Sequence, residues 1–284
     1  MDQKKQKDMT EKTLEAQNDV FADIMNVLLF DGRQEVTEDE LEQALPRSVY
    51  KADGKLREQE RDAAKYWHRM RVRIAFFGME NQTEPDVDMP LRVISYDGAV
   101  YRNQLGYTVR TGRRRKKGKW RRRRHRYPAV TLVLYFGTEQ HWNQPVTLYG
   151  ALGGVPESLR PYVNDYRINL VEVAWLTDEQ VQMFRSDFKV VADYFVQKRK
   201  NGEYQPSIEQ LTHVQEVMQL MSALTGDDRF EKAYQQSREE ETEAKNMCEI
   251  LDKVENRGVQ RGLKQGLEQG LERGLERGLE QKTI

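Results

Sequence analysis

Residues 72–101, VRIAFFGMENQTEPDVDMPLRVISYDGAVY, carry a strand pattern and a helix pattern on either side of a polar break. The first eight residues form a short, largely apolar run of strand length. The segment 83–86 ends that run, and the apolar residues after it predict a helix over 86–102. Glu80 and Gln82 follow the apolar run. Because successive strand side chains alternate, we expect both to point to the same side.

Two further strands and three further helices are predicted along the chain. The stretch YPAVTLVLYFG, residues 127–137, is β-branched and aromatic and is apolar on both faces, as expected of a buried central strand. A third strand is predicted over DYRINLVEVA, residues 165–174. Helical patterns cover residues 18–30, 177–199 and 205–224. Strands that alternate with helices in this way predict an α/β domain.

The chain of 284 residues is long enough for one domain of ordinary size with extensions, or for two small domains. Lys plus Arg and Asp plus Glu both number 46, so the net charge is zero although the chain is highly charged. A single cysteine, Cys248, excludes a disulfide framework and a zinc site built from several cysteines. The polar N-terminus lacks the apolar core of a signal peptide, and there is no apolar run of about 18 residues. We therefore expect a cytoplasmic protein without a membrane span.

Basic residues are concentrated between Arg110 and Arg126, where twelve residues are Lys or Arg and none is acidic. Gly112 and Gly118 make a helix unfavourable there, so the segment is predicted to be a long, mobile loop or the tip of a hairpin. The cations can neutralise phosphates, and Trp120, His125 and Tyr127 can stack on bases, which predicts binding to DNA without sequence specificity. The alternatives are a localisation-like patch and a solvated loop. The residues expected to hold the DNA backbone are Arg113, Arg114, Arg115, Lys116, Lys117, Lys119, Arg121, Arg122, Arg123 and Arg124.

The pair Glu80-x-Gln82 is the feature that points most directly to chemistry. A carboxylate and an amide on one face, next to an upstream acid, can hold Mg²⁺ and orient a water. Mg²⁺ prefers oxygen ligands and usually takes one or two carboxylates plus a substrate phosphate. Such an ion can lower the pKa of its water and stabilise charge on a scissile phosphate. The alternative interpretation is an acidic residue at a strand end that faces solvent.

The upstream acid is best sought at Asp62, in KLREQERD, and Asp53 is the alternative. The residues after Asp62, AAKYWHRMRVR, have a more helical than strand-like composition, whereas an acid directly before a strand would fit a hairpin better. Asp19 or Asp23 in the first predicted helix can add a further acid near the metal. The alternative for both is a helix cap or a solvated helix face.

Several of these residues together resemble a known family. Residues 78–101 look like the core of the recombination-promoting nuclease (Rpn) family, also called PD-(D/E)XK nuclease family transposases. The matching positions are Glu80, Gln82, Thr83, Glu84, Pro85, Met89, Pro90, Arg92 and Tyr96. Residues 127–142 resemble a second marker of the family, with matches at Pro128, Tyr135, Gly137 and Trp142. Residues 165–181 are a third stretch that resembles the family. The resemblance extends over about residues 18–230, and a glycine repeat like the one at the C-terminus is also common in such proteins.

The resemblance implies a restriction-endonuclease-like fold, in which a central mixed sheet is flanked by helices. It also implies Mg²⁺-dependent cleavage of DNA linked to recombination, with Mn²⁺ or Ca²⁺ as substitutes for Mg²⁺. In such a site Asp62 and Glu80 would bind the metal. Gln82 would stand where the superfamily usually has a lysine; it can position water but carries no positive charge. Arg92 would contact a DNA phosphate or else pair with an acidic neighbour, either Glu84 or Asp88.

Four regions are expected along the chain. They are a polar extension (1–17), a nuclease-like domain with the basic insertion 110–126 (18–200), a helical region (201–250) and a repeat tail (251–284). In the tail, glycine recurs every four residues from Gly258 to Gly278. Each glycine costs a helix about 1 kcal/mol, so the tail is expected to form a helix only against a partner, which predicts a homo-oligomer. The competing hypothesis is a weak or inactive nuclease relative that binds DNA through the basic loop and assembles through the tail.

Overall fold

A computed structural model describes most of the chain. The described residues are 14–45, 47–52, 55–70, 72–105, 108–111, 121–227, 229–239 and 246–252. The strands are β1 (Leu41–Gln43), β2 (Arg47–Ala52), β3 (Lys55–Glu60), β4 (Ala63–Arg69), β5 (Val72–Gln82), β6 (Thr108–Thr111), β7 (Arg121–Arg124), β8 (Ala129–Tyr135) and β9 (Asn169–Glu172). The α-helices are α1 (Asn18–Phe30), α2 (Met89–Asn103), α3 (Leu148–Ala151), α4 (Asp178–Met183), α5 (Phe188–Asn201), α6 (Val214–Thr225) and α7 (Arg229–Glu239). The chain divides into two units, the first ending at Gln205 and the second beginning at Pro206.

A five-stranded mixed sheet organises the first unit, with the strand order β1-β4-β5-β8-β9. The strands β1, β4 and β5 pair antiparallel, whereas β5, β8 and β9 pair parallel. The parallel connection from β5 to β8 runs through α2, as a parallel pair requires a crossover. The prediction of an α/β domain with a mixed sheet and flanking helices is confirmed at this level.

Helices cover both faces of the sheet, which explains why β5 and β8 are apolar on both sides. On one face, Met89 and Val93 of α2 pack with Val133 of β8. On the other face, α1 contributes Phe30, whose ring lies 6.0 Å from that of Trp67 in β4. Phe136, directly after β8, packs on the same side as Leu134 against Phe188 and Phe195 of α5.

The helical composition after Asp62 is misleading, and that prediction is wrong. Residues 63–69 form β4, which lies between β1 and β5 and pairs with both. Ala, Lys and Arg favour a helix locally, but pairing on both edges and packing on both faces outweigh that preference. Met70, which has a left-handed φ of 50°, makes the turn into β5.

The predicted helix 177–199 is in fact two helices, α4 and α5. A capping box between Thr177 and Gln180 starts α4. The break between the helices is held by Asp23 of α1, whose carboxylate accepts the backbone N–H groups of Arg185 and Ser186, both at 2.8 Å. The carboxylate lies 162 and 163 residues away from these two N–H groups in the sequence. The break between the helices therefore has no local sequence signal.

The second unit contains α6 and α7, which pack together, and a helical segment at 247–252. The repeat tail from residue 253 onward lies outside the described residues, so the prediction that it mediates assembly stays a prediction. Among the residues that the structure describes, no helix is both long enough and apolar enough to span a bilayer.

Candidate functional site

Glu80 and Gln82 lie at the carboxyl end of β5, on the same side of the strand as predicted. Glu80 is buried, with 3% of its surface exposed, and Gln82 is half-buried. The Gln82 amide donates a hydrogen bond to Oε1 of Glu80 at 3.4 Å. In the parallel pairing, Gln82 is opposite Tyr135 of β8, so the two side chains end their strands next to each other.

Asp62 belongs to this site. It is the residue directly before β4, and its Oδ2 accepts a hydrogen bond from the backbone N–H of Asn81 at 2.7 Å. Because β4 and β5 form an antiparallel pair, the start of one strand lies beside the end of the other. The structure therefore brings Asp62 to Glu80 and Gln82. The alternative acid, Asp53, lies outside the described residues.

Burial disfavours the charged form of both carboxylates, and the charge of Asp62 disfavours ionisation of Glu80 further. Burial, followed by the charge of Asp62, raises the pKa of Glu80 to about 7, although Arg92 and Arg61 oppose the shift. Burial also raises the pKa of Asp62, against the lowering effects of the Asn81 N–H group and Arg92. Oε2 of Glu80 is buried and has no hydrogen-bond partner in the part of the chain that is described. The buried site thus leaves one oxygen of Glu80 without a hydrogen bond and disfavours the charged form of both acids.

Arg92, in the first turn of α2, contacts Glu80 of this carboxylate pair. One of its terminal nitrogens bonds Oε1 of Glu80, and the other bonds Oδ2 of Asp86 at 2.8 Å. The expected acidic partners, Glu84 or Asp88, are not the ones observed for this ion pair. About a third of the Arg92 side chain, 36%, is exposed, so the guanidinium reaches from the buried Glu80 toward solvent.

Glu15 is a further acid beside Asp62, and sequence reasoning missed it. It lies in the short 3₁₀ turn Leu14–Ala16, within a stretch predicted to be a polar extension, yet it is fully buried. Its Oε1 accepts a hydrogen bond from the Asn81 side chain at 2.8 Å, while its Oε2 is buried without a partner among the described residues. Burial, with a contribution from Asp62, raises its pKa to about 7. The apolar residue next to it, Leu14, is the sequence signal that could have indicated that this segment packs against the domain.

The two helix acids that were candidates for this role lie elsewhere. Asp23 binds the backbone between α4 and α5, as described above. The charge of Asp19 acts on Lys65 of β4. The acid whose interaction with Asp62 the structure shows is Glu15.

Lys65 holds the Glu15 segment against the sheet. This buried lysine donates hydrogen bonds to the carbonyl of Ala16 and to Oδ1 of Asn18, both at 2.6 Å, and to Oε1 of Gln43 at 2.8 Å. Burial lowers its pKa to about 8, with Asp19 acting in the opposite direction. Since Ala16 and Asn18 flank the start of α1, Lys65 fixes the turn that carries Glu15.

The residue before Asp62 is fixed by a buried network. Arg61 forms an ion pair with Asp97 of α2 at 2.9 Å, and Asp97 also accepts hydrogen bonds from the hydroxyls of Thr131, at 2.7 Å, and Tyr166. The Arg61 guanidinium lies over the rings of Phe76 and Tyr96, 5.0 and 4.8 Å from their centroids. Arg61 is thus committed to the interior and holds the backbone at Asp62.

The two ends of the basic segment pair with each other as the strands of a hairpin. The strands β6 and β7 pair antiparallel, with Arg121–Arg124 forming the second strand. The predicted contacts Arg113, Arg114, Arg115, Lys116, Lys117 and Lys119 lie outside the described residues. The chain leaves the hairpin at His125, whose Nε2 contacts the carbonyl of Arg73 at the start of β5. Arg73 and Glu80 are seven residues apart in the same strand, so the base of the hairpin lies roughly 23 Å from Glu80.

The carboxylates fit a divalent cation of the Mg²⁺ type. Among the described residues, no group of three His, Cys, Asp or Glu side chains is arranged to hold a metal. Mg²⁺ does not require such a group, because it keeps several waters and takes oxygens from substrate phosphate beside one or two carboxylates. Asp62 and Glu80 supply those two, and a cation would satisfy the unpartnered Oε2 of Glu80 and relieve the repulsion between them.

Comparisons of the chain with protein-family models, with curated proteins and with solved structures found no match. The geometry of the site is therefore what bears on function. It consists of a buried pair of carboxylates, an adjacent amide and a half-exposed arginine at the carboxyl end of a central strand.

Proposed function

We propose that this protein is a Mg²⁺-dependent DNA endonuclease of the PD-(D/E)XK type, related to the recombination-promoting nucleases. The observation that carries the proposal is the approach of Asp62 to Glu80 through the backbone N–H of Asn81. The two acids are separated in sequence by the whole β4–β5 hairpin. Folding brings them to one strand end, where Gln82 is adjacent and an oxygen of Glu80 is unpartnered.

The architecture supports the same proposal. The acids lie on an antiparallel pair, β4 and β5, which is followed by a crossover helix and a parallel strand, with helices on both faces of the sheet. A mixed sheet flanked by helices is what the resemblance implies for this type of nuclease. It is a compatible fold that other α/β proteins share, so the proposal depends on the site rather than on the sheet.

In the proposed reaction, a water oxygen attacks the phosphorus of a DNA phosphodiester in line with the P–O bond that breaks. The attacking water gives up one proton to solvent, and the departing alkoxide takes one proton from solvent. Asp62 and Glu80 would hold Mg²⁺, which when bound activates water and offsets charge on the phosphate. Gln82 orients the reactants: its amide nitrogen faces Glu80, so its carbonyl oxygen can accept a hydrogen bond from the attacking water.

The basic hairpin would supply the affinity for DNA. Its cations contact phosphates and carry no sequence information, so binding is expected to be strong at low salt and non-specific. The distance of roughly 23 Å from the hairpin base to Glu80 corresponds to about seven base pairs of B-DNA at 3.4 Å per pair. A duplex that contacts both the hairpin base and the acids must therefore span at least about seven base pairs.

One observation favours a second candidate, a DNA-binding and assembly protein without strong catalysis. Arg92 already neutralises part of the charge on Glu80, and Gln82 adds no positive charge for a phosphate. A site arranged in this way can serve for binding alone. This candidate predicts DNA binding that persists in EDTA and in the absence of the Glu80 carboxylate.

Plasmid nicking by the full-length protein tests the proposal. Supercoiled DNA is incubated with Mg²⁺, Mn²⁺ or EDTA, and wild type is compared with Glu80→Gln and Asp62→Asn, which keep the shape of each side chain. Glu157→Gln, which changes an exposed carboxylate of another segment, is the control. Metal-dependent nicking that both site variants lose and the control keeps supports the nuclease. Nicking that survives in both site variants contradicts it, and tight salt-sensitive binding without nicking supports the second candidate.

A further inference from the structure

Among the residues that the structure describes, Arg61 and Arg92 lie near the acidic site, and of these two only Arg92 can reach a substrate. Arg61 is almost entirely buried, with 4% of its side chain exposed, and it is bound to Asp97. Arg92 has 36% of its side chain exposed and contacts Glu80 at its inner end. A phosphate that enters beside Glu80 would therefore meet the guanidinium of Arg92 first.

Arg92 is held by two carboxylates of different character. Glu80 is buried and is the proposed metal ligand, while Asp86 is more exposed, at 28%, and lies in the loop before α2. The bond to Asp86 at 2.8 Å does not depend on Glu80. If Glu80 turns to a cation, Asp86 still keeps the guanidinium at the mouth of the site.

Phosphodiester hydrolysis increases the negative charge on the phosphoryl oxygens as the transition state forms, and a fixed cation at that position lowers the barrier. Gln82 lies on the same side of β5 as Glu80 and bonds it, but Gln82 is neutral. The planar guanidinium of arginine has five N–H donors and binds phosphate oxygens in pairs.

Resting on the proposed function, we propose that Arg92 is a catalytic residue that supplies the positive charge Gln82 lacks. In this arrangement Arg92 exchanges its contact with Glu80 for a contact with the scissile phosphate, and Asp86 is the positioning residue that holds it there. The Arg92–Glu80 ion pair is then the resting arrangement of the site. No atom is transferred to Arg92, which stays protonated throughout the reaction.

The test measures single-turnover cleavage rates in Mg²⁺ for wild type and for Arg92→Ala, Arg92→Lys and the double variant Arg92→Ala with Gln82→Lys. We expect Arg92→Ala to lower the rate constant at saturation about 10²–10³-fold, which is the usual loss for one stabilising donor. Arg92→Lys should retain part of the rate. Since position 82 is on the same side of β5 as Glu80, adding Gln82→Lys to Arg92→Ala should raise the rate constant at least tenfold above that of Arg92→Ala alone. Arg102→Ala, an exposed arginine later in α2, is the control for general loss of DNA contact.

The outcomes separate this inference from the proposed function. If wild type cleaves and Arg92→Ala keeps its rate within threefold, the catalytic role of Arg92 is overturned and the nuclease stands. If Arg92→Ala is slow and Gln82→Lys gives no recovery in a double variant that melts like wild type, the charge-supplying role is also overturned.

If wild type does not cleave, the proposed function fails and binding decides the role of Arg92. The measurement is the affinity for a 12-base-pair duplex in Ca²⁺ and in EDTA. A Ca²⁺-dependent loss of at least tenfold in Arg92→Ala, absent in Arg102→Ala, supports a phosphate contact at the site. Equal affinity of Arg92→Ala and wild type contradicts it. Thermal melts of every variant show whether it is folded.

Discussion

The carboxylate of Asp62 accepts a hydrogen bond from the backbone N–H of Asn81 at 2.7 Å. This contact joins the residue that enters β4 to the residue that follows Glu80 in β5. The side chain of the same asparagine bonds Glu15 at 2.8 Å. Three acids from three separate segments are thus assembled around one residue, and two of them have a pKa raised to about 7.

The stability of the protein should fall as the pH rises from about 4.5 to about 7. The pKa of Glu15 is raised from 4.5 in an unfolded chain to about 7 in the folded one, so the folded state binds this proton more tightly. Its stabilising contribution is complete below the unfolded value and is lost as the pH passes the folded value. Because Glu80 contributes in the same direction, Glu15→Gln should reduce but not abolish the slope of the free energy of unfolding between pH 4.5 and 7, as measured by urea titration at constant ionic strength. Glu157→Gln should keep the wild-type slope, and an unchanged slope in Glu15→Gln would count against a buried, protonated Glu15.

Divalent cations should stabilise the folded protein through Asp62 and Glu80. A ligand that binds only the folded state adds about 2.7 kcal/mol when its concentration is a hundred times its dissociation constant. We expect Mg²⁺ and Ca²⁺ to raise the melting temperature of wild type relative to EDTA. Glu80→Gln and Asp62→Asn should lose most of this increase, while Glu157→Gln keeps it. An equal increase in all four proteins would show that the cations bind elsewhere.

Gly78→Ala should destabilise the first unit by about 1–3 kcal/mol, the usual cost of overpacking a core. A Cβ at Gly78 would lie 2.8 Å from Cδ and 2.9 Å from Nε of Arg61, and Arg61 cannot move away because Asp97 and two aromatic rings hold it. Gly98→Ala is the matched control, because a Cβ there meets no atom within 4 Å and alanine favours the helix. Urea unfolding should show a loss for the first variant and a small gain for the second; equal stabilities would contradict the close packing of Arg61.

Lys65→Met should loosen the turn that carries Glu15. Methionine keeps most of the buried volume but leaves the Ala16 carbonyl and the side chains of Asn18 and Gln43 without the lysine donor. The expected cost is about 1–3 kcal/mol, and hydrogen exchange should become faster at residues 14–18 than in β5. Lys198→Met, at an exposed position of α5, should change neither quantity. Unchanged exchange in Lys65→Met would mean that the turn is held by other contacts.

The salt dependence of DNA binding should reveal the basic hairpin. Each phosphate contact contributes about 0.9 to the slope of log K against log salt, so replacing Arg121–Arg124 with Gln should lower that slope by about 3 to 4. A control variant with the same loss of charge, made at the exposed residues Arg33, Arg160, Lys198 and Lys232, should leave the slope near that of wild type. Similar slopes for both variants would indicate attraction by overall charge rather than contact by the hairpin.

Much of the fold could be predicted from the sequence because its signals are local. The apolar periodicity of residues 18–30 predicted α1 with the bounds that the structure shows, and Asp31 and Gly32 end it in left-handed conformations. The apolar runs predicted β5 and β8, and the proline and polar residues after Gln82 predicted the break before α2. In each case neighbouring residues alone favour the observed structure.

The sequence by itself therefore determined the central strands, the crossover helix and the placement of Glu80 and Gln82 on one side of β5. Tertiary structure decided that residues 63–69 form a strand, that Glu15 is buried beside Asn81, and that Arg92 pairs with Glu80 and Asp86. The physical reason is the range of the interactions. A strand between two others is stabilised by pairing with distant residues, and a buried acid is tolerated only where a partner from another segment binds it. Such partners have no fixed spacing in the sequence, so only the folded chain reveals them.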